Sequence, residues 1–279
     1  MSEHTLRLNR PAVRTFPKGR RELTGVEARF TADFLAGFDL EFDPDLYAAG
    51  GGNSFISMSR QLIDGLADPL PRMDTVLLAY HLPDLQFVEV AGCYLAERCP
   101  GGPAVFSVSG QGVGAPFTAL RILSHLSLPG DTTCGAVVVL DQSTAAYRDP
   151  ETHDGPDGPV RDCAVLLTVD TSGATGAGSG VVLDFVEEHR AADPAELLDA
   201  AARRFPQPRI VAGHALADRL DPEFRTRHGI VEGAAHRLCT SVWAALAEQW
   251  PCDRYTLVAD YDSHEGRLFQ AGLRPGTPT

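Results

Sequence analysis

The chain has 279 residues and a formal net charge of −13, with 44% hydrophobic and 22% charged residues. This composition is typical of a soluble globular protein, and no run of about 20 apolar residues is present that could span a membrane. The acidic charge makes nucleic acids and anionic membranes poor candidates as partners, because both repel a negative surface. The N-terminal segment lacks the apolar core of a secretory signal, so we expect a cytoplasmic protein.

The cysteines and histidines give no sign of a metal centre. The six cysteines form no Cys-x-x-Cys pair, and the nine histidines show no zinc-ligand spacing. We therefore expect no metal site and no cofactor, and we interpret the cysteines as buried thiols.

The first half of the chain alternates between helical and strand-like patterns. Residues 1–50 are irregular, and the periodicity sharpens after a glycine-rich break at 50–52. The pattern then predicts a helix in 54–70, a strand from Thr75 to Tyr80, a helix in 86–99, a strand in 104–109, a helix ending near His125, and strands in 135–141, 162–170 and 180–189. The Gly/Ser-rich segment between the last two strands is typical of a hairpin-like turn.

The second half repeats this alternation over a shorter length. The pattern predicts a helix in 194–205, a strand beginning at 209, a long helix in 232–250, and strands in 254–262 and 267–275. Continuous apolar strands between helices indicate an α/β fold with mixed, mostly parallel sheets layered with helices. We predict two similar halves, 1–175 and 176–279, that form one compact unit.

The stretch FSVSGQGVGAPFTALRIL, from Phe106 to Leu123, places a glycine loop between a strand and a helix. Its GQGVGA segment satisfies the G-x-G-x-x-[GA] pattern, so the loop can be interpreted as a pyrophosphate cradle, with Asp141 binding a ribose. The alternative is an elbow that presents a nucleophile at a helix N-terminus. The difficulty with the second interpretation is that the loop tip offers Gln111 and no Ser, Thr or Cys.

The order of motifs along the chain favours the second interpretation. The segments DTVLLAYHLPD, AGCYLAERC, AVFSVSGQGVG, GAVVVLDQS and RDCAVLLTVD resemble the first half of a ketoacyl synthase III, of the thiolase superfamily. RIVAGHALADRL, AAHRLCTSVWAAL and YTLVADYDSHEGRLFQAGL resemble the second half. This resemblance implies a thiolase-like fold built of two similar halves, and it covers residues 55–275.

The resemblance also implies positions for the reacting groups. His214 falls on the family's catalytic histidine, and His236 falls on its catalytic asparagine. The family's cysteine falls on Gly112 or Val113, where this chain has no thiol, and Gln111 is the nearest side chain able to hydrogen-bond. We expect these residues to form one pocket, in which His264 and Cys239 are further candidates. A structural role for each side chain is the alternative.

The family's chemistry implies an acyl thioester, carried by CoA or an acyl carrier protein, as the partner. Without a thiolate, three outcomes stay open: decarboxylation, direct acyl transfer to an amine or alcohol with histidine as the base, and a non-catalytic subunit that pairs with an active synthase. The enzyme is favoured, because two histidines are present at the site. We expect a homodimer or heterodimer that acts in specialised acyl or polyketide biosynthesis, a branch of natural-product biosynthesis.

Overall fold

The computed structural model describes residues 6–19, 23–86, 89–128, 132–154, 158–171, 180–190 and 193–276. The strands are β1 Arg7–Leu8, β2 Ala12–Thr15, β3 Thr75–Tyr80, β4 Ala104–Val108, β5 Cys134–Asp141, β6 Cys163–Asp170, β7 Val181–Arg190, β8 Arg209–Ala212, β9 Val231–Glu232, β10 Thr256–Asp262 and β11 Arg267–Arg274. The helices are α1 Gly25–Ala36, α2 Pro44–Ala49, α3 Phe55–Asp64, α4 Ala91–Arg98, α5 Ala115–Ser127, α6 Pro150–His153, α7 Pro194–Ala202, α8 His214–Ala217, α9 Pro222–His228 and α10 Ser241–Glu248.

Several helices begin at the same dipeptide, Asp-Pro. In α2, α6, α7 and α9 the aspartate is the N-cap, and its carboxylate accepts backbone N–H groups of the first turn. The proline that follows has its φ angle already set for a helix and lacks only an N–H that would have no partner within the helix. These local signals fix where the helices start.

The strands form one mixed sheet in the order β4-β3-β5-β6-β1-β7-β11-β10-β8-β9, with β2 paired to β6. Strands β3, β4 and β5 are parallel in the first half, and β8, β9 and β10 are parallel in the second. Antiparallel pairs connect the halves through β6, β1, β7 and β11. The mixed α/β architecture predicted from the sequence is confirmed.

The predicted hairpin between residues 162–170 and 180–189 is wrong. Strand β1 lies between β6 and β7 and is antiparallel to both, with Leu8 opposite Val169 on one side and Val181 on the other. The fully buried Leu8 anchors this N-terminal strand in the core. The Gly/Ser-rich connection, residues 172–179, lies outside the described residues.

Helices α5 and α10 lie between the two halves of the sheet. One apolar cluster contains Phe117 from α5, Trp243 from α10, Val137 from the first half of the sheet and Val258 from the second. Helices α3 and α4 cover the other face of the first half, and α7, α8 and α9 cover the other face of the second. This layering explains why the apolar strands read as continuous hydrophobic runs.

The first 50 residues are more ordered than their sequence pattern indicates. They contain β1, β2, α1 and α2, and the N-cap Thr24 forms a reciprocal capping box with Glu27 at the start of α1. The weak periodicity has a cause: α1 exposes Phe30 and Phe34 beside its polar side chains, and Phe38 just after the helix is exposed too. Among the described residues, no helix has both the length and the apolar character needed to cross a bilayer.

Candidate active site

The glycine loop forms a tight elbow between β4 and α5. Gly110 and Gly112 have φ angles of +67° and +47°, in the left-handed region that favours glycine. Residues Gly112–Gly114 form a buried 3₁₀ turn. A Cβ atom on Gly114 would lie 2.2 Å from Cζ of Phe269, so this glycine allows helix and sheet to pack closely. Gly112 and Gly114 are therefore buried and serve interior packing, whereas Gly110 is exposed with open space around it.

Asp141, the proposed ribose ligand, is buried at the end of β5 and is fully engaged. Its carboxylate accepts the backbone N–H groups of Leu238, Cys239 and Thr240 and the hydroxyl of Thr240. These bonds hold the turn before α10 against the elbow, so Asp141 has no capacity left for a ribose. They also explain why the long helix predicted in 232–250 is wrong: α10 begins at Ser241, after the N–H groups that the carboxylate binds.

The closest thiol to the elbow belongs to Cys239. It donates a hydrogen bond to the carbonyl oxygen of Gly112, over 3.2 Å, and its residue is 1% exposed. The side chain therefore seals the back of the elbow within the core. Cys239 thus touches the elbow, but it is not among the residues that line the cavities described below.

Two other predicted pocket residues lie at the surface. The exposed Gln111 accepts a hydrogen bond from the hydroxyl of Thr118, 2.6 Å away in the first turns of α5. The His264 side chain is 81% exposed in the turn between β10 and β11, where it pairs with Glu265. Neither side chain lines the cavity that contains His214.

His214 begins the short helix α8, directly after β8, and is held by two carboxylates. Its Nδ1 lies 3.0 Å from Oε1 of Glu232, and its Nε2 lies 3.5 Å from Oδ2 of Asp218. Arg225 pairs with the other oxygen of Glu232. A carboxylate beside each nitrogen fixes the ring orientation and can stabilise the charge that the ring gains when it accepts a proton as a general base.

In the described part of the chain, His214 and its two carboxylate neighbours form a group that could hold a metal ion. Ligand atoms of His214, Asp218 and Glu232 lie within 4.8 Å of one another. Arg225 also pairs with Glu232, so one ligand of this group is already engaged by a cation.

His214 lies in a cavity of about 400 Å³ between the elbow and the ends of β8 and β10. Val113 of the elbow, Arg237 of the turn before α10, and Asp260 and Tyr261 of β10 also line it. His214 and Val113, two of the candidate site residues, thus line one cavity. Arg237 and Asp260, which line it too, were not among the candidates.

Asp260 is a buried carboxyl at the base of this cavity. A Cβ atom on Gly213 would lie 1.9 Å from its Oδ2, so the carboxyl packs directly on the backbone that presents His214. Burial, opposed by a hydrogen bond from the N–H of Tyr261 and aided by the nearby Asp141, raises the pKa of Asp260 from 3.8 to about 8. Burial also raises the pKa of Asp141, but hydrogen bonds from Thr240, Leu238 and Cys239 oppose that rise, so we infer that Asp260 holds the proton of the pair.

His236 lies in a different cavity, next to the first. Its neighbours there include Lys18, Arg148, Arg161 and Asp162. Backbone geometry is the reason: Ala235 and Arg237 face the His214 cavity, whereas His236 between them faces the other way. The N–H of Arg161 donates to the carbonyl of His236, over 2.9 Å, and ties down the wall between the cavities.

The expectation that two imidazoles meet over the elbow is therefore wrong. The side chain that faces His214 from this turn is Arg237, one position further along the chain than the ungapped alignment indicates. In a turn without helical periodicity, an error of one residue exchanges the two sides, and the sequence alone could not reveal it.

A third cavity, of about 450 Å³, is predominantly apolar and lies beneath α1. Phe30 and Phe34 of α1, Tyr80 at the end of β3, and Tyr147 contribute aromatic walls. It contains neither His214 nor any residue of the Gly112–Gly114 turn.

Solved structures resemble this chain over almost its whole length, while no family model and no curated protein matches its sequence. AbyA1, a tetronic acid condensing enzyme, is 13% identical with a TM-score of 0.61, and the match covers 97% of this chain and 100% of that chain. The acyltransferase ChlB3 is 14% identical with a TM-score of 0.61, covering 98% of each chain.

A third solved structure is 3-oxoacyl-(acyl carrier protein) synthase III, FabH, from Pseudomonas aeruginosa PAO1. It is 13% identical with a TM-score of 0.58, and the match covers 99% of each chain. These similarities agree with the layered architecture. The chain therefore has a thiolase-like fold, the fold of ketosynthase III-type enzymes.

Proposed function

We propose that this protein transfers an acyl group directly from a thioester to an amine or alcohol, with His214 as the general base. The observation that carries the proposal is the pairing of His214 with Glu232 in a cavity that the elbow residue Val113 also lines. The similar structures named as a condensing enzyme, an acyltransferase and a synthase support acyl chemistry on this fold.

The proposed step needs no acyl-enzyme intermediate. The acceptor's oxygen or nitrogen attacks the thioester carbonyl carbon while His214 takes the acceptor's proton, and the imidazolium is stabilised by Glu232. When the tetrahedral intermediate collapses, the carbon–sulfur bond breaks and the leaving thiolate receives that proton. Gly112 and Val113 have no nucleophilic side chain, and Cys239 is sealed in the core, so we infer that the elbow shapes the site without reacting.

The cavity beside His236 suits the carrier of the thioester. In an acidic chain it gathers Lys18, Arg148, Arg161 and His153, and the described residues give the Arg161 side chain no ion-pair partner. Cationic side chains around a cavity favour a phosphate-bearing group, such as CoA or the prosthetic arm of an acyl carrier protein. Val160 lines both cavities, so a carrier in one lies next to the other.

Release of free CoA tests the proposal. The purified protein is incubated with acetyl-, butyryl- or malonyl-CoA and a panel of amines and alcohols, and products are identified by mass spectrometry. We expect acceptor-dependent CoA release that His214→Ala reduces at least about 100-fold. The control is His125→Ala, an exposed histidine that bonds to a carbonyl of its own helix. Acetyl-CoA formed from malonyl-CoA without an acceptor would indicate decarboxylation instead.

A non-catalytic subunit is the second candidate, and the edge of the sheet favours it. Among the described strands, β4 pairs with β3 alone, and Phe106 on it is 53% exposed. An unpaired edge with an exposed aromatic side chain is suited to pairing with another chain. A protein that is insoluble unless co-expressed with a cysteine-bearing synthase, and that releases no CoA alone, would establish this role. A stable, active homodimer would exclude it.

A further inference from the structure

Arg237 is a half-buried cation that lines the His214 cavity. The described residues give its guanidinium no hydrogen bond and no ion pair. Several other arginines of this acidic chain form ion pairs, such as Arg203 with Asp199 and Arg209 with Asp253. A cation that is partly removed from water without a counter-charge is destabilising, so this position indicates an anionic ligand.

The acids of the same cavity do not supply the missing counter-charge. Asp218 flanks the imidazole of His214, and Asp262 accepts the N–H groups of His264 and Glu265 in the turn after β10. The carboxyl of Asp260 packs on the backbone of Gly213. Arg219, the second arginine that lines this cavity, has its Cζ atom 5.0 Å from the centre of the Tyr261 ring.

We propose that Arg237 binds the carboxylate of the acyl acceptor, so that the acceptor is a hydroxy acid or an amino acid. This inference rests on the proposed function, because the group that gives its proton to His214 must lie in the same cavity as His214. An anion held there by Arg237 therefore belongs to the acceptor, whereas the carrier of the donor has the neighbouring cationic cavity. A guanidinium binds a carboxylate with two parallel hydrogen bonds, which also orients the hydroxyl or amine.

Arg237 then positions the reaction as well as selecting the substrate. With the carboxylate fixed, rotation of the acceptor is restricted, and its hydroxyl or amino group is held between His214 and the thioester carbonyl. A cavity of about 400 Å³ accommodates a small acid together with the thioester end of the donor. Neutral alcohols of the same size lack this anchor and should be poor acceptors.

Calorimetric titration tests the inference without turnover. Lactate, mandelate, alanine and phenylalanine are each compared with the corresponding carboxamide, on the full chain. We expect at least one acid to bind about tenfold tighter than its amide, Arg237→Gln to abolish that difference, and Arg237→Lys to retain part of it. Arg203→Ala, an exposed control that is 76% accessible, should leave the difference unchanged.

The possible outcomes separate this inference from the proposed function. If no acid binds better than its amide, or if Arg237→Gln keeps the preference, the inference is overturned. If Arg237→Gln instead weakens malonyl-CoA relative to isovaleryl-CoA and leaves the acids unaffected, the carboxylate belongs to the donor and the acceptor assignment is overturned. Arg237-dependent acid binding without CoA release from any thioester would support the inference and refute acyl transfer.

Discussion

Replacing Asp260 with asparagine should remove a pH-dependent loss of stability. The carboxyl is 1% exposed and has a pKa of about 8, against an ordinary value of 3.8. The folded state holds the proton of Asp260 more tightly than the unfolded state does, and this difference stabilises the fold. The stabilisation is fully present below about pH 4 and is lost progressively as the pH rises to about 8. The asparagine amide keeps the bond from Tyr261 and does not titrate.

The size of the effect follows from the pH range between the pKa of Asp260 in the unfolded state and its pKa in the folded state. Each pH unit within this range changes the free energy of unfolding by about 1.4 kcal/mol. Between pH 5 and pH 8 the wild-type protein should therefore lose up to about 4 kcal/mol relative to Asp260→Asn. Chemical denaturation at several pH values measures both curves.

A surface acid provides the control for this measurement. The Asp253 side chain is 63% exposed and pairs with Arg209, so Asp253→Asn should leave the slope between pH 5 and pH 8 unchanged. Parallel curves for the wild type and Asp260→Asn would show that the Asp260 carboxyl is ionised throughout. The assignment of the proton to Asp260 would then be refuted.

Four further variants test the site and the elbow. Glu232→Gln should lower kcat about tenfold with little change in KM, because the imidazolium loses a charge partner; unchanged kinetics would contradict this. Gly114→Ala should destabilise the protein by about 2 to 3 kcal/mol, because its Cβ would meet an aromatic ring. In thermal unfolding, Gly110→Ala should cost only about 1 kcal/mol, since its surroundings are open. His236→Ala should raise the KM for the thioester and retain kcat; a loss of kcat would place His236 in the reaction.

The fold could be predicted from the sequence where local patterns decide the structure. Strand β3 has the predicted bounds, Thr75 to Tyr80, because an apolar run ends at a turn on each side. The Asp-Pro starts and the glycine elbow are likewise local signals. Strand β1 escaped prediction because two residues carry no periodicity, and its place between β6 and β7 depends on long-range pairing.

The candidate site could be predicted in part. His214 follows a buried strand, which is a strong position signal, and the structure places it beside Val113 of the elbow. The roles of Asp141 and Arg237 depend on contacts across more than 90 residues of sequence or on which side of a turn a residue faces. No periodic pattern records such contacts, so the acid that fixes the turn and the cation that faces His214 emerge only from the coordinates.

Intact-protein mass spectrometry during a single turnover of butyryl-CoA distinguishes direct transfer from an acyl-enzyme route. Direct transfer predicts that CoA is released in the presence of an acceptor while the protein mass stays unchanged, and that His214→Ala slows this release at least about 100-fold. A butyryl adduct that forms and decays at the rate of turnover, mapped to Cys239 or to any other side chain, would contradict direct transfer.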